Sequence, residues 1–159
     1  MSDILNPRDS QYALLKDNEG IIHKLCFMYS DNQEEYKDLR QEVSYQLLKS
    51  YPKYKGESKL STWVYKVVLY TALAYIRSKP KGHHPIDNID FAIDEKEDND
   101  WNIVLEQIKK LPDVEKSLVF LYLEGNSYKE IAEILGITES NVGVKLNRIK
   151  NKLKEYFKE

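Results

Sequence analysis

Residues 127–153 read SYKEIAEILGITESNVGVKLNRIKNKL, and this run constrains the fold more than any other part of the chain. Two short helices meeting at a tight turn need a small residue where they cross. They also need a glycine that tolerates positive φ at the turn, and an apolar residue early in the second helix. Ala132, Gly136 and Val142 supply these at the offsets of a helix-turn-helix. Ser127 with Glu130 predicts a capping box for the first helix, which Gly136 ends, and Thr138 caps a last helix of about 18 residues. At 100° per residue, Val142, Leu146, Ile149 and Leu153 share one face of that helix. The opposite face presents Ser140, Val144, Asn147, Arg148 and Asn151, flanked by Lys145, Lys150, Lys152 and Lys154. Amides suit base edges, a valine suits a thymine methyl, and Lys and Arg suit phosphate, so the pattern predicts a DNA-reading helix.

The rest of the chain continues in helical period, and strand signals are nearly absent. Leu14, Ile21, Ile22, Leu25 and Met28 predict an N-terminal helix or helix pair interrupted near Gly20. A helix over 33–49 follows, with Tyr36, Leu39, Val43 and Leu47 as its inward stripe. Pro52 and Gly56 mark a loop, and Ser61 or Thr62 caps a helix running to about Ser78, where Pro80, Gly82 and Pro85 stop it. Helices over 101–110 and 113–124 flank Pro112, the second ending at Gly125. Between Pro85 and Asp100 seven acids face one lysine without a helical period, which reads as a tether. The expected architecture is all-α: one small helical domain over 1–79, an acidic flexible linker over 80–100, and a second helical domain over 101–159.

Charge is informative only when divided. The chain as a whole carries a net −2, which excludes a uniformly basic nucleic-acid binder. Residues 1–84, however, hold thirteen cations against ten acids, and 101–159 ten against nine. A single cysteine, Cys26, closes no internal disulfide and favours a reducing compartment. The first residues lack a basic head before an apolar core. The most apolar stretch, Trp63 to Ile76, is 14 residues interrupted by Lys66, too short for a bilayer. A cytoplasmic location without membrane insertion is therefore expected. No nucleophile–base pair, phosphate-cradling glycine loop or dinucleotide fingerprint is present, so neither enzymatic activity nor a cofactor is expected. Asp94, Glu95, Glu97, Asp98 and Asp100 read as a solvated tether, His83–His84 as a loop feature, and His23 with Cys26 as too few ligands for a metal.

The first half carries two contrasting surfaces. Residues 43–84 hold eight Lys and Arg against Glu57 alone, interleaved with Tyr45, Tyr51, Tyr54, Trp63, Tyr65, Tyr70 and Tyr75. Cations beside rings fit a single strand, whose bases stack while its phosphates seek charge. Lys66, Tyr70 and Arg77 fall on one side of their helix with Trp63 and Ala74 adjoining, whereas Tyr65 and Tyr75 read as core. On the preceding helix Asp38, Gln41, Glu42 and Tyr45 lie away from the apolar stripe.

These segments carry a resemblance. DLRQEV (38–43), KYKGESKLSTWVYKV (53–67) and ALAYIR (72–77) resemble region 2 of the group 4, extracytoplasmic-function sigma factors of the sigma-70 family. Residues 111–153 resemble their region 4. The resemblance implies a promoter-specificity subunit that binds core RNA polymerase and promoter DNA. Asp38, Gln41, Glu42 and Tyr45 would grip the β′ clamp helices, and the second domain would meet the β flap. Lys53, Lys55, Lys59, Trp63, Lys66, Tyr70 and Arg77 would open and read the −10 element. Ser140, Asn141, Val144, Lys145, Asn147, Arg148 and Asn151 would read the −35 element. An anti-sigma factor is a further partner the resemblance allows, and the linker would thread towards the RNA exit path. The sequence departs from the family in Tyr70 and Ala74, where Asn and Asp are common, and in Leu48 and Leu60, where Trp and Phe are usual. Gly143, Val144 and Lys145 replace the usual Lys, Ser, Arg run. The competing reading is a stand-alone helix-turn-helix regulator whose first domain serves dimerisation or ligand sensing.

Overall fold

The computed structural model describes residues 7–79 and 99–156, and within them the regular structure is helical, with no strand. The chain divides into two compact units, Met1–Ile89 and Asp90–Glu159.

In the first unit α1 (Pro7–Asp17) and α2 (Glu19–Met28) form the expected broken pair. The break falls at Asn18, whose side chain donates back to the Leu14 carbonyl at 2.8 Å. α3 (Gln33–Ser50) starts at Asn32, which has extended backbone and accepts the Glu35 amide at 2.7 Å, satisfying an orphan donor of the first turn. A single 3₁₀ turn (Tyr51–Lys53) and a loop lead to α4 (Leu60–Ser78). Neither Ser61 nor Thr62 caps that helix. Its N-cap is Lys59, which makes no side-chain cap, Ser61 is exposed in the first turn, and Thr62 is drawn into the core. α3 and α4 pack along their length, with α2 across both. Leu25, Leu39, Val43, Leu47, Val64, Val68, Leu69 and Ala72 are wholly buried between them.

Two polar groups sit in positions that helical period alone assigns otherwise. Glu35, in the first turn of α3, is buried and paired with Lys79 just beyond the end of α4. Asn32 donates to its other oxygen at 2.9 Å, and the Lys79 ammonium also stands 5.1 Å over the Tyr75 ring. Tyr36, expected in the inward stripe, is half-buried and polar in its contacts. Its hydroxyl lies 2.5 Å from His23 Nδ1 and accepts from Arg40 at 2.9 Å, while Arg40 pairs with Glu19 at 2.8 Å. Burial disfavours the Arg40 charge, but hydrogen bonds to Glu19 and Tyr36 outweigh it and raise its pKa.

The second unit stacks α5 (Asn99–Lys109), α6 (Asp113–Leu123), α7 (Tyr128–Leu135) and α8 (Glu139–Tyr156). Gly125, at φ +90°, lets the chain leave α6 by folding back, with the Asn126 amide donating to the Leu121 carbonyl at 3.2 Å. Leu105, Ile108, Leu118, Phe120, Leu121, Ile131, Ile134, Val142, Leu146 and Ile149 form the core.

Candidate nucleic-acid and partner interface

The helix-turn-helix of the second unit assembles from local bonds. Ser127 Oγ accepts the Glu130 amide at 3.1 Å and Glu130 accepts the Ser127 amide at 3.2 Å, completing the capping box. Gly136 takes φ +70°, and its amide and that of Ile137 both donate to the Ala132 carbonyl. Thr138 Oγ1 then accepts the Asn141 amide at 3.1 Å, starting α8. Gly143 faces α7, because a Cβ placed there would stand 3.5 Å from the Tyr128 ring. That distance is ordinary van der Waals contact, so Tyr128 packs beside this position on α8.

Val142, Leu146 and Ile149 are buried and Leu153 half-buried, so the assigned seam is the inward face. Ser140, Asn141, Val144, Lys145, Asn147, Arg148 and Asn151 lie on the outward side, Val144 exposed by 50% and Lys145, Asn147 and Arg148 around it. The cations do not form one uniform set. Lys150 donates to the Tyr122 hydroxyl at 3.2 Å and stands 4.4 Å over the same ring, and that hydrogen bond raises its pKa. Lys152 pairs with Glu115 of α6 at 3.3 Å. Among the described residues, Lys145, Arg148 and Lys154 project without such ties.

In the first unit, Trp63 is held between Tyr54, at 5.4 Å and 41° between ring planes, and Tyr51, at 6.0 Å and 59°. The Tyr54 hydroxyl donates to the Ser58 carbonyl, closing the loop over Gly56, whose φ is +76°. Lys53, Lys55 and Lys59 project from this loop, Lys66 is half-buried one turn along α4, and Arg77 is exposed towards its end. Tyr65 is core as expected, whereas Tyr75 is half-buried beneath Lys79.

A groove of about 920 Å³ runs between α3 and α4. All four residues assigned to polymerase binding, Asp38, Gln41, Glu42 and Tyr45, line its α3 wall. The opposite wall contains Tyr70, Ala74 and Tyr75. Tyr70, grouped by helical period with Lys66 and Arg77, thus reaches the carboxylate side of the unit. The period misses this because the stripe holding these residues has one edge turned towards α3. Burial, then the charges of Asp38 and Glu34, raise the Tyr75 hydroxyl pKa.

Among the described residues no group of His, Cys, Asp and Glu could hold a metal ion. Cys26 is wholly buried, and desolvation pushes its thiol up to about 12 despite the Arg40 charge. His83, His84 and the acidic side chains from Asp94 to Asp100 lie outside the described residues. No described helix is long and apolar enough to cross a membrane.

Comparison with known proteins gives these surfaces a context. The family model "Sigma-70 region 2" matches residues 14–81, and "Sigma-70, region 4" matches 101–153. The RNA polymerase sigma factor SigV of Bacillus subtilis is 29% identical over 137 residues, covering 84% of this chain and 82% of SigV. The fold is similar to that of CnrH, solved in complex with the cytosolic domain of CnrY, with a TM-score of 0.68 at 14% identity, covering 96% of this chain and 90% of CnrH. It is similar also to RpoE of Bartonella quintana, solved with the anti-sigma factor NepR, with a TM-score of 0.65 at 16% identity, covering 89% and 92%. The two matched regions stand in order across most of the sequence, one on each compact unit, and the chain belongs to the sigma-70 family of RNA polymerase sigma factors, in its extracytoplasmic-function group.

Proposed function

We propose that this sigma factor divides promoter recognition between its two units while the first also holds core RNA polymerase. The acidic wall of α3, with Asp38, Gln41, Glu42 and Tyr45, binds the β′ clamp helices, a contact that charge complementarity would steer. The Tyr51–Tyr54–Trp63 ring cluster, with Lys53, Lys55, Lys59, Lys66 and Arg77, captures the opened −10 strand by stacking and phosphate contact. The outward run of α8 reads the −35 element in the major groove, Ser140, Asn141, Asn147 and Asn151 facing base edges and Val144 a thymine methyl. The second unit also contacts the β flap. Cytoplasmic residence follows from this role, and no catalytic step is assigned to the chain.

The observation that carries the reading is the outward polar run of α8 behind a closed apolar seam, in a chain whose other unit bears a carboxylate wall. Both solved relatives are complexes, CnrH with CnrY and RpoE with the anti-sigma factor NepR, and an anti-sigma factor is proposed here by that likeness.

The test is reconstitution. The purified chain, mixed with bacterial core polymerase, should co-elute on gel filtration and yield specific run-off transcripts from its promoter fragments. DNA binding without polymerase association would instead favour a stand-alone regulator.

A further inference from the structure

We propose that Tyr70 belongs to a cation-accepting groove that docks an arginine-bearing helix of a protein partner, and not to the promoter-reading surface. The inference rests on the polymerase-binding reading of α3 and extends it to the facing wall.

Three observations carry it. First, Tyr70 and Ala74 line the same groove as Asp38 and Glu42, and Tyr70 is 49% exposed. Two of the positions where the sequence departs from common sigma residues therefore stand opposite its carboxylates. Second, rings lining this groove accept cations within the unit: the Lys49 ammonium stands 5.7 Å over Tyr45, and Lys79 stands 5.1 Å over Tyr75. Ring faces bordered by carboxylates attract positive charge. Third, Asp38 and Glu42 are four residues apart on α3, one helical turn, about 6 Å. Two arginines at the same interval on a partner helix would meet both acids at once.

Arginine fits better than lysine because its guanidinium stacks on a ring face while offering paired donors to a carboxylate. Ala74 leaves the wall beside Tyr70 without a long side chain. A DNA strand fits poorly, since its phosphates would approach Asp38 and Glu42, and Glu34, whose charge also reaches Tyr75.

The test measures full-length protein binding to core polymerase by fluorescence anisotropy. In parallel, −10 thymine permanganate reactivity is read at factor concentrations saturating for each variant. Tyr70→Ala should weaken core binding by about tenfold, Tyr70→Phe by less than about threefold because it keeps the ring, and opening at saturation should remain unchanged. Circular dichroism should show the helical content of both variants intact. Unchanged core affinity with impaired opening would overturn the inference and return Tyr70 to the melted strand. Unchanged affinity with unchanged opening would overturn it too. The Asp38→Lys/Glu42→Lys variant separates the two levels. If it still binds core, the polymerase reading of α3 fails and this inference with it. If it loses core binding while Tyr70→Ala does not, only the role of Tyr70 fails.

Discussion

The two units of this sigma factor use their cations differently. On α8 two of the five cations between 145 and 154 turn back onto α6, Lys150 to the Tyr122 ring and hydroxyl and Lys152 to Glu115. In the first unit, Lys53 and Lys55 are exposed beside the Tyr54–Trp63 ring contact, while the acids gather on the α3 side of a groove. The comparison shows that a basic run in sequence does not measure a basic surface. On a helix that packs closely against a neighbour, some cations hold the fold. In the segment beside the aromatic cluster, Lys53 and Lys55 remain exposed to solvent.

The strongest way to break this comparison is to invert the acidic wall. Asp38→Lys with Glu42→Lys should abolish co-elution with core polymerase, at a cost of several kcal/mol in binding, with helical content intact. If co-elution survives, the carboxylates are merely solvated and the contrast between the units disappears.

The next effect concerns stability. Lys79→Met leaves Glu35 buried without its cation and should destabilise the first unit by about 3–5 kcal/mol in urea unfolding. Adding Glu35→Leu should recover most of that deficit, because an apolar pair of similar size needs no charge compensation.

The α8 face is sharpened by alanine substitutions and a salt titration. Ser140→Ala and Asn147→Ala should alter sequence preference by about 1–3 kcal/mol wherever the side chain makes a good hydrogen bond to a base edge. Lys145→Ala and Lys154→Ala should weaken all sequences alike, each lowering the slope of log affinity against log salt by about 0.9. Lys150→Ala and Lys152→Ala should lower that slope by less, since α6 already holds both side chains. Equal slopes for all four lysines would erase the distinction between structural and ligand-facing cations.

The smallest effect, read over the first pH unit above the ordinary thiol value, is a pH dependence confined to the first unit. The Cys26 thiol titrates at about 12 when folded against 9.0 as its ordinary value. An acid whose folded pKa is raised contributes full stability below the unfolded value and loses it as pH rises towards the folded one. Stability should therefore fall above pH 9.0, by up to about 1.4 kcal/mol per pH unit from this group, and Cys26→Ala should flatten the fall.

Legibility in the sequence follows the range of the interactions. The capping box at Ser127, the αL turn at Gly136 and the seam of α8 each depend on residues within a turn or two of one another, so spacing alone locates them. The pair Glu35–Lys79 joins residues 44 positions apart, and Lys150–Tyr122 joins residues 28 apart. No periodicity records such contacts, and an acid in a first turn reads equally well as a solvated partner of the helix dipole. The start of α4 departs from expectation for a related reason: hydroxyl residues predict a cap, but Thr62 is taken by the core. Tyr70 shows the limit most clearly, because a stripe on a helical wheel does not say which of its edges the next helix will reach.

The Glu35–Lys79 contact also has a mechanical meaning. Lys79 is the last described residue before the segment that leads to the second region, and its side chain is fastened to the first turn of α3. A pull on the chain beyond it would load this side-chain clasp, with the Tyr75 ring beneath, before it could peel the final turn of α4. The clasp would act as strain relief, keeping traction on the chain beyond Lys79 from unzipping the wall that holds Tyr70 and Tyr75 opposite Asp38.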